Sequence, residues 1–179
     1  MAPAWEAYHA LEPVRSRALV EALVQQLEGG GMAEPGVWCE ALLLGALASL
    51  ALADAPAVDR FLDRALVLDP ALVADPLRFS PPLVARLEQR RASLPALARI
   101  EVDVRPRGAS VQVDGRVMTG LTNVIPGLHF VSARAPGRHS VTRRVEVSPE
   151  GARLELTLPI APDALGDARL EPREGLDEA

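Results

Sequence analysis

Three histidines and one cysteine are the side chains of this 179-residue sequence best suited to chemistry near neutral pH. His129 and His139 flank Pro136-Gly137, and a hairpin turning there would set the two rings face to face, where a carboxylate could complete a metal site. His9 is remote, and no pair has helical ligand spacing with a third ligand nearby, so the expected role of a strand histidine is packing against its neighbour. Cys39 lies between Trp38 and the apolar run after Glu40. A nucleophilic thiol needs an electropositive, accessible setting, so Cys39 is expected to be a buried core thiol. Neither G-x-S-x-G nor a phosphate-cradling glycine loop occurs, since "GGGM" follows a helical pattern and has no lysine after it. No catalytic residue, cofactor or metal is expected, and the chain is not expected to be an enzyme.

Contact chemistry is the remaining class. Residues 1–99 carry 9 Arg against 12 acids, residues 100–158 carry 8 against 6, and residues 159–179 carry 2 against 6, for a net charge of −5. No segment is basic enough to follow a phosphate backbone, so nucleic acid is not an expected partner. All 19 basic residues are arginine, which reads as codon usage rather than chemistry. Arg105, Arg107, Arg116, Arg143 and Arg144 are candidates for a basic face, the alternative being solvated arginines paired with Glu101, Glu146 and Glu155. Trp5 and Tyr8 precede the first full helical turn and are candidates for an exposed partner anchor, the alternative being core burial. Five of the six aromatics fall before residue 80, leaving Phe130 alone in the later part, which offers no aromatic stacking platform.

The elements that must position these residues change character along the chain. Over 4–28, Leu11, Val14, Ala18, Leu19, Ala22, Leu23 and Leu27 recur at helical spacings, with Pro13 as a break or start and "EGGGM" as the end. Residues 36–53 make a second helix. Its run from Val37 to Ala53 is 17 residues long with Glu40 inside, short of a comfortable membrane span, so a helix buried on most sides is expected. Asp54 caps a third helix with Val58, Phe61, Leu62, Ala65 and Leu68 on one face, ended by Asp69-Pro70. A fourth runs from about Pro82 to Ser93 with Ser80 as its N-cap.

From Arg99 the period becomes two. Ile100, Val102 and Val104, then Val111 and Val113, then Leu154, Leu156 and Leu158 alternate with polar residues, as strands with one buried face do. Two further strands lie on either side of Pro136-Gly137, and Asp114-Gly115 is a hairpin dipeptide because its tight turn needs positive φ. The fold class expected is α+β in two domains: a helical bundle over 1–98 and a small antiparallel β-sandwich over 99–158, joined with almost no linker at "SLPALAR".

The second and third helices resemble one tetratricopeptide unit. Gly45 stands where such a unit keeps a small residue, and Ala65 to Pro70 matches its closing alanine and Asp-Pro; a single unit implies a tetratricopeptide-like helical domain and not an array. "VDVRPRGASVQVDG" followed by "TNVIPGLHFVSARAPGRHSVTRRVEV" resembles a PEGA domain. Pro106 to Ala109 is the turn, Val111 to Gly115 the valine-rich strand ending in Asp-Gly, Pro126-Gly127 with His129 the Pro-Gly-x-His element, and Gly137 the later turn. Arg107 stands in place of the family's Glu. The resemblance implies a noncatalytic β-sandwich of six or seven strands, common in bacterial envelope proteins beside helical repeats.

The expected function is that of a protein–protein adaptor or scaffold subunit of a bacterial envelope assembly. The alternative is a ligand-binding module engaging peptidoglycan or another glycan through the β-domain. The opening residues carry no basic region followed by an apolar run, so no signal peptide is read there. A periplasmic or envelope-associated chain written without its leader is expected, or else a cytoplasmic one. Pro159 to Ala179 is expected to lie outside the sandwich and to bind a partner in preference to folding back on the arginines, with Leu165, Leu170 and Leu176 as anchors.

Overall fold

The computed structural model describes residues 1–30, 35–118 and 121–161. Five helices are followed by seven strands: α1 Ala2–His9, α2 Pro13–Gly30, α3 Pro35–Ala51, α4 Ala55–Leu68, α5 Pro81–Ala92, β1 Ala98–Arg105, β2 Ser110–Val113, β3 Arg116–Val117, β4 Thr122–Val124, β5 Gly127–Arg134, β6 Val141–Val147 and β7 Ala152–Thr157. The class is mixed α+β, helical first and β second. The single helix expected over 4–28 is two helices, because Pro13 starts α2 and the chain reverses at Leu11, whose φ is +60°. There the Glu12 N–H reaches back to the Ala7 carbonyl and the Leu11 N–H to that of Tyr8.

α3 is buried over most of its surface, with Trp38, Leu42, Leu44, Ala46 and Ala48 nearly inaccessible, as the 17-residue apolar run implied. No described helix is long and apolar enough to cross a membrane. Gly45 lets α3 approach α4 closely: a Cβ there would lie 2.7 Å from the Phe61 ring. Asp54 caps α4 as expected, its side chain accepting from the Ala57 N–H at 3.1 Å. Ser80 precedes α5, but its hydroxyl makes no capping bond and the helix begins at Pro81, one residue earlier than expected. α5 docks through Leu83 and Leu87, and two bidentate pairs, Arg86 with Asp59 and Arg90 with Asp63, join it to α4.

The strands form two sheets, β4-β1-β7 and β3-β2-β5-β6. Ile100, Val104, Leu156 and Leu158 from the first side and Val113, Val131, Ala133 and Val147 from the second share one hydrophobic cluster. The four-stranded sheet is antiparallel throughout, but β1 and β7 run parallel, with Ile100 opposite Ala152 and Arg105 opposite Thr157. The all-antiparallel expectation therefore fails at that pair, because the chain crosses into the other sheet between its first and last strands and returns in the same direction. Nor does the β part close at Leu158. The His139 N–H donates to the Pro159 carbonyl at 2.9 Å, Ile160 bridges Arg138, and the Ala161 N–H donates to the Gly137 carbonyl at 3.0 Å.

Candidate functional site

The residues richest in unusual chemistry gather where the helical and β parts meet. At its base lies a third hydrophobic cluster that belongs to both: Trp38, Cys39 and Leu42 from α3, Ala65 and Leu68 from α4, and Phe130 from β5. The Trp38 and Phe130 rings lie 5.0 Å apart at 47°. The one aromatic of the β part is thus committed to the junction. α4 and β5 touch again at Gly127, whose φ of +145° and lack of a Cβ allow Val67 to come close; a Cβ would lie 3.1 Å from its Cγ1.

Above this cluster sits His129, 1% exposed. Its Nδ1 is 2.6 Å from Asp114 Oδ2 and its Nε2 is 2.6 Å from the Ile125 carbonyl. A carbonyl only accepts, so Nε2 carries a proton and donates it, and a second proton is shared on the Nδ1 to carboxylate axis. The other carboxylate oxygen accepts the Phe130 N–H at 2.9 Å, and the Asp114 N–H donates to the Phe130 carbonyl. Asp114 reaches this position because it turns at φ +48° ahead of Gly115 at +79°, as the hairpin dipeptide predicted. With both ring nitrogens engaged by protein, neither is free to take a proton from a bound molecule. The expected facing of His129 and His139 does not occur: His129 stands opposite Val145, and His139 lies beyond the far end of β5, roughly 20 Å along the strand.

Arg64 of α4 enters the same junction. It donates to the Leu128 carbonyl, lies 3.7 Å from Glu28, and sits 5.9 Å from the Trp38 ring centre and 5.8 Å from that of Phe130. Its Nε and the Trp38 Nε1 are buried without a hydrogen-bond partner among the described residues. Burial pulls its pKa below the ordinary arginine range, with Glu28 opposing. Cys39 is buried as expected, and desolvation, reinforced by Asp69, pushes its thiol up to about 11.

Two hollows lie beside the junction. One hollow of about 110 Å³ is lined by Val67, Leu97, Val117 and Asn123 beside Asp114 and His129. A second of about 280 Å³ has Cys39, Leu43, Leu72 and Phe79 among its walls. The ion pair between Arg116 and Asp69 stands between them, Arg116 lining both.

The five candidate arginines do not share one face. Arg105 ends β1 in one sheet, Arg107 is exposed in the following turn, and Arg116 on edge strand β3 is held by Asp69. Arg143 and Arg144 are adjacent on β6 at the other edge and so project to opposite faces. Among the described residues no ion pair joins any of these arginines to Glu101, Glu146 or Glu155. Trp5 and Tyr8 are partly buried against the helical core. Trp5 Nε1 donates to Glu40 at 3.1 Å, and Arg78 lies over its ring and bonds the same carboxylate, holding Glu40 below the usual carboxylate range. Leu165, Leu170 and Leu176 lie outside the described residues.

Sequence reasoning missed Asp114, His129, Arg64 and Trp38 as a unit. Asp-Gly and the Pro-Gly-x-His element were both visible, but as separate turn signals, Asp114 and His129 standing 15 residues apart. No protein-family model matches the chain, and no curated protein matches it either.

Proposed function

We propose that this chain is a noncatalytic adaptor or scaffold subunit of a bacterial, envelope-associated assembly. Its helical part is read as tetratricopeptide-like and its β part as a PEGA-like sandwich. The close approach at Gly45, at the position where the tetratricopeptide resemblance puts a small residue, supports the first reading. A core shared by two sheets and the use of Asp114-Gly115 and Gly127-x-His129 as structural corners support the second. In this reading the buried polar groups join the two halves, and exposed apolar residues of the helical half recruit a protein partner.

One observation carries it. Leu11 adopts a left-handed backbone conformation that costs a branched side chain about 1 kcal/mol, yet that side chain is 88% exposed. The backbone angle serves the turn between α1 and α2, but the leucine side chain that raises its cost packs on nothing in the chain. Among the described residues Leu77, at 95%, is the other apolar side chain left in water to this degree. Single exposed leucines are common on soluble proteins, but one held at a sterically unfavourable backbone angle suits a contact point.

The test uses the full chain, because Phe130 completes the packing around Trp38 and separate halves would each expose that cluster. Wild type and the L11G/L77S double variant are immobilised and challenged with envelope extract and, separately, with purified peptidoglycan. Glycine relieves the strain at residue 11 but adds about 0.5–1 kcal/mol of unfolded-state freedom, so the variant should melt within a few degrees of wild type. The expected result is a protein retained in stoichiometric amount by wild type and lost by the variant. Equal retention by both, or retention of glycan without protein, contradicts the reading.

A further inference from the structure

β6 is the last strand of its sheet, and its seven residues pair with β5 over an unbroken register from Val141 opposite Ala133 to Val147 opposite Gly127. Among the described residues no strand pairs with its other edge. Neither proline nor glycine interrupts it. Such an edge presents a row of unpaired backbone donors and acceptors, and proteins normally cover or charge it. Here Arg143 and Arg144 are both exposed, and among the described residues neither has an ion-pair partner. Being adjacent in a strand, they place one guanidinium on each face of the sheet beside the open edge.

The chain supplies a segment of matching chemistry close by. Residues 162–179 hold six acids against two arginines. Ala161, just before them, is bonded to Gly137 at the tip of the β5–β6 hairpin, and His139, bonded to Pro159, is two residues from the start of β6. Eighteen residues reach up to about 60 Å when extended, whereas β6 spans only about 23 Å, so the segment can turn back and still cover the strand. Between Pro162 and Pro172 stand nine residues without proline, including Asp163, Asp167 and Glu171, each able to donate a backbone hydrogen bond to an edge.

We propose that residues 162–179 lie along the free edge of β6 in the same chain, their carboxylates facing Arg143 and Arg144. This reverses the preference for an external partner that composition alone suggested, because the anchoring of residues 159–161 beside the hairpin raises the local concentration of the segment at this edge. It stands independently of the adaptor reading.

Amide exchange followed by NMR tests it on the full chain, on a variant ending at Ala161, and on the R143E/R144E variant of the full chain. The β6 amides that point away from β5 should exchange about tenfold faster in both variants than in wild type, and high salt should raise the wild-type rate toward theirs. The β6 amides that point toward β5 serve as the folding control and should stay slow in all three. Adding a synthetic 162–179 peptide to the shortened chain should restore protection. Equal outward-facing rates in wild type and the shortened chain would overturn the proposal and leave the arginines as guards against strand pairing. Protection that rises with protein concentration would overturn it in favour of a second copy.

Discussion

Asp114 and His129 form one buried unit across the four-stranded sheet, Oδ2 lying 2.6 Å from Nδ1 while Oδ1 accepts the N–H of Phe130, the residue that packs on Trp38. The pair thereby fixes the backbone that carries the β part's only aromatic into the helical part. Its hydrogen bonds tie β5 to the Asp114-Gly115 turn, and its burial makes it sensitive to substitution.

Asp114→Ala should cost about 3–5 kcal/mol, because it leaves His129 Nδ1 and the Phe130 N–H buried without partners and puts alanine at positive φ. For a protein of this size the melting temperature should fall by about 10 °C or more. Asp114→Asn should lose much less, since its carbonyl can still accept from Phe130, its amide can donate to Nδ1, and asparagine tolerates the left-handed region. Thermal melts of the two variants separate a steric role from a polar one; equal losses would contradict the assigned bonds.

The junction should depend on aromatic packing and hardly at all on its surface ion pair. Phe130→Ala removes a 3% exposed ring and should cost about 3–5 kcal/mol. Arg116→Ala removes a pair whose arginine is 63% exposed and should cost no more than about 1 kcal/mol. Denaturant titrations of both check the order; a larger loss for Arg116→Ala would show that charge holds the halves together.

Much of this organisation was legible in the order of residues. The switch from helical to two-residue periodicity at Arg99 marked the change from helices to strands, because Ile100, Val104 and Leu156 must alternate to reach a core on one side. Pro13 was readable as a helix start but equally as a kink, since proline alone does not say whether the chain beyond it changes direction; that depends on Leu11 adopting positive φ, which leucine seldom does. The junction was not legible. Phe130 stood out only as a lone strand aromatic, and nothing in the pattern of the third helix singled out Arg64, because two-residue and 3.6-residue patterns report which face is buried and not which element buries it. The parallel pairing of β1 with β7 was hidden for the same reason.

Cys39 should be silent toward alkylating reagents in the native state. With its thiol pushed up to about 11 by burial, roughly one molecule in a thousand carries the thiolate at pH 8. Because the folded value lies above the ordinary 9.0, the proton bound there stabilises the fold fully below pH 9, and that contribution is lost as pH rises from about 9 to about 11. Cys39→Ala should flatten the decline in stability over that window. Rapid labelling of native protein at pH 8 would contradict the burial.

Gly45→Leu should be strongly destabilising. The ring of Phe61 occupies the space, so overpacking costs about 1–3 kcal/mol or more, against a helix-propensity gain of about 1 kcal/mol over glycine. Gly45→Ala should fall near the balance of the two terms. A stabilised leucine variant, measured by melting temperature, would mean that α3 and α4 are not as closely packed as described.

The adaptor reading proposed above needs contact faces held in fixed relation, which requires the helical and β parts to move as one body. Residual dipolar couplings measured on the full chain in one alignment medium test this directly. Amides of α2 to α5 and of β1 to β7 should fit a single alignment tensor, and Phe130→Ala should split it into two of different magnitude. Two distinct tensors in the wild-type protein would contradict a rigid junction built on Trp38, Phe130, Asp114 and His129.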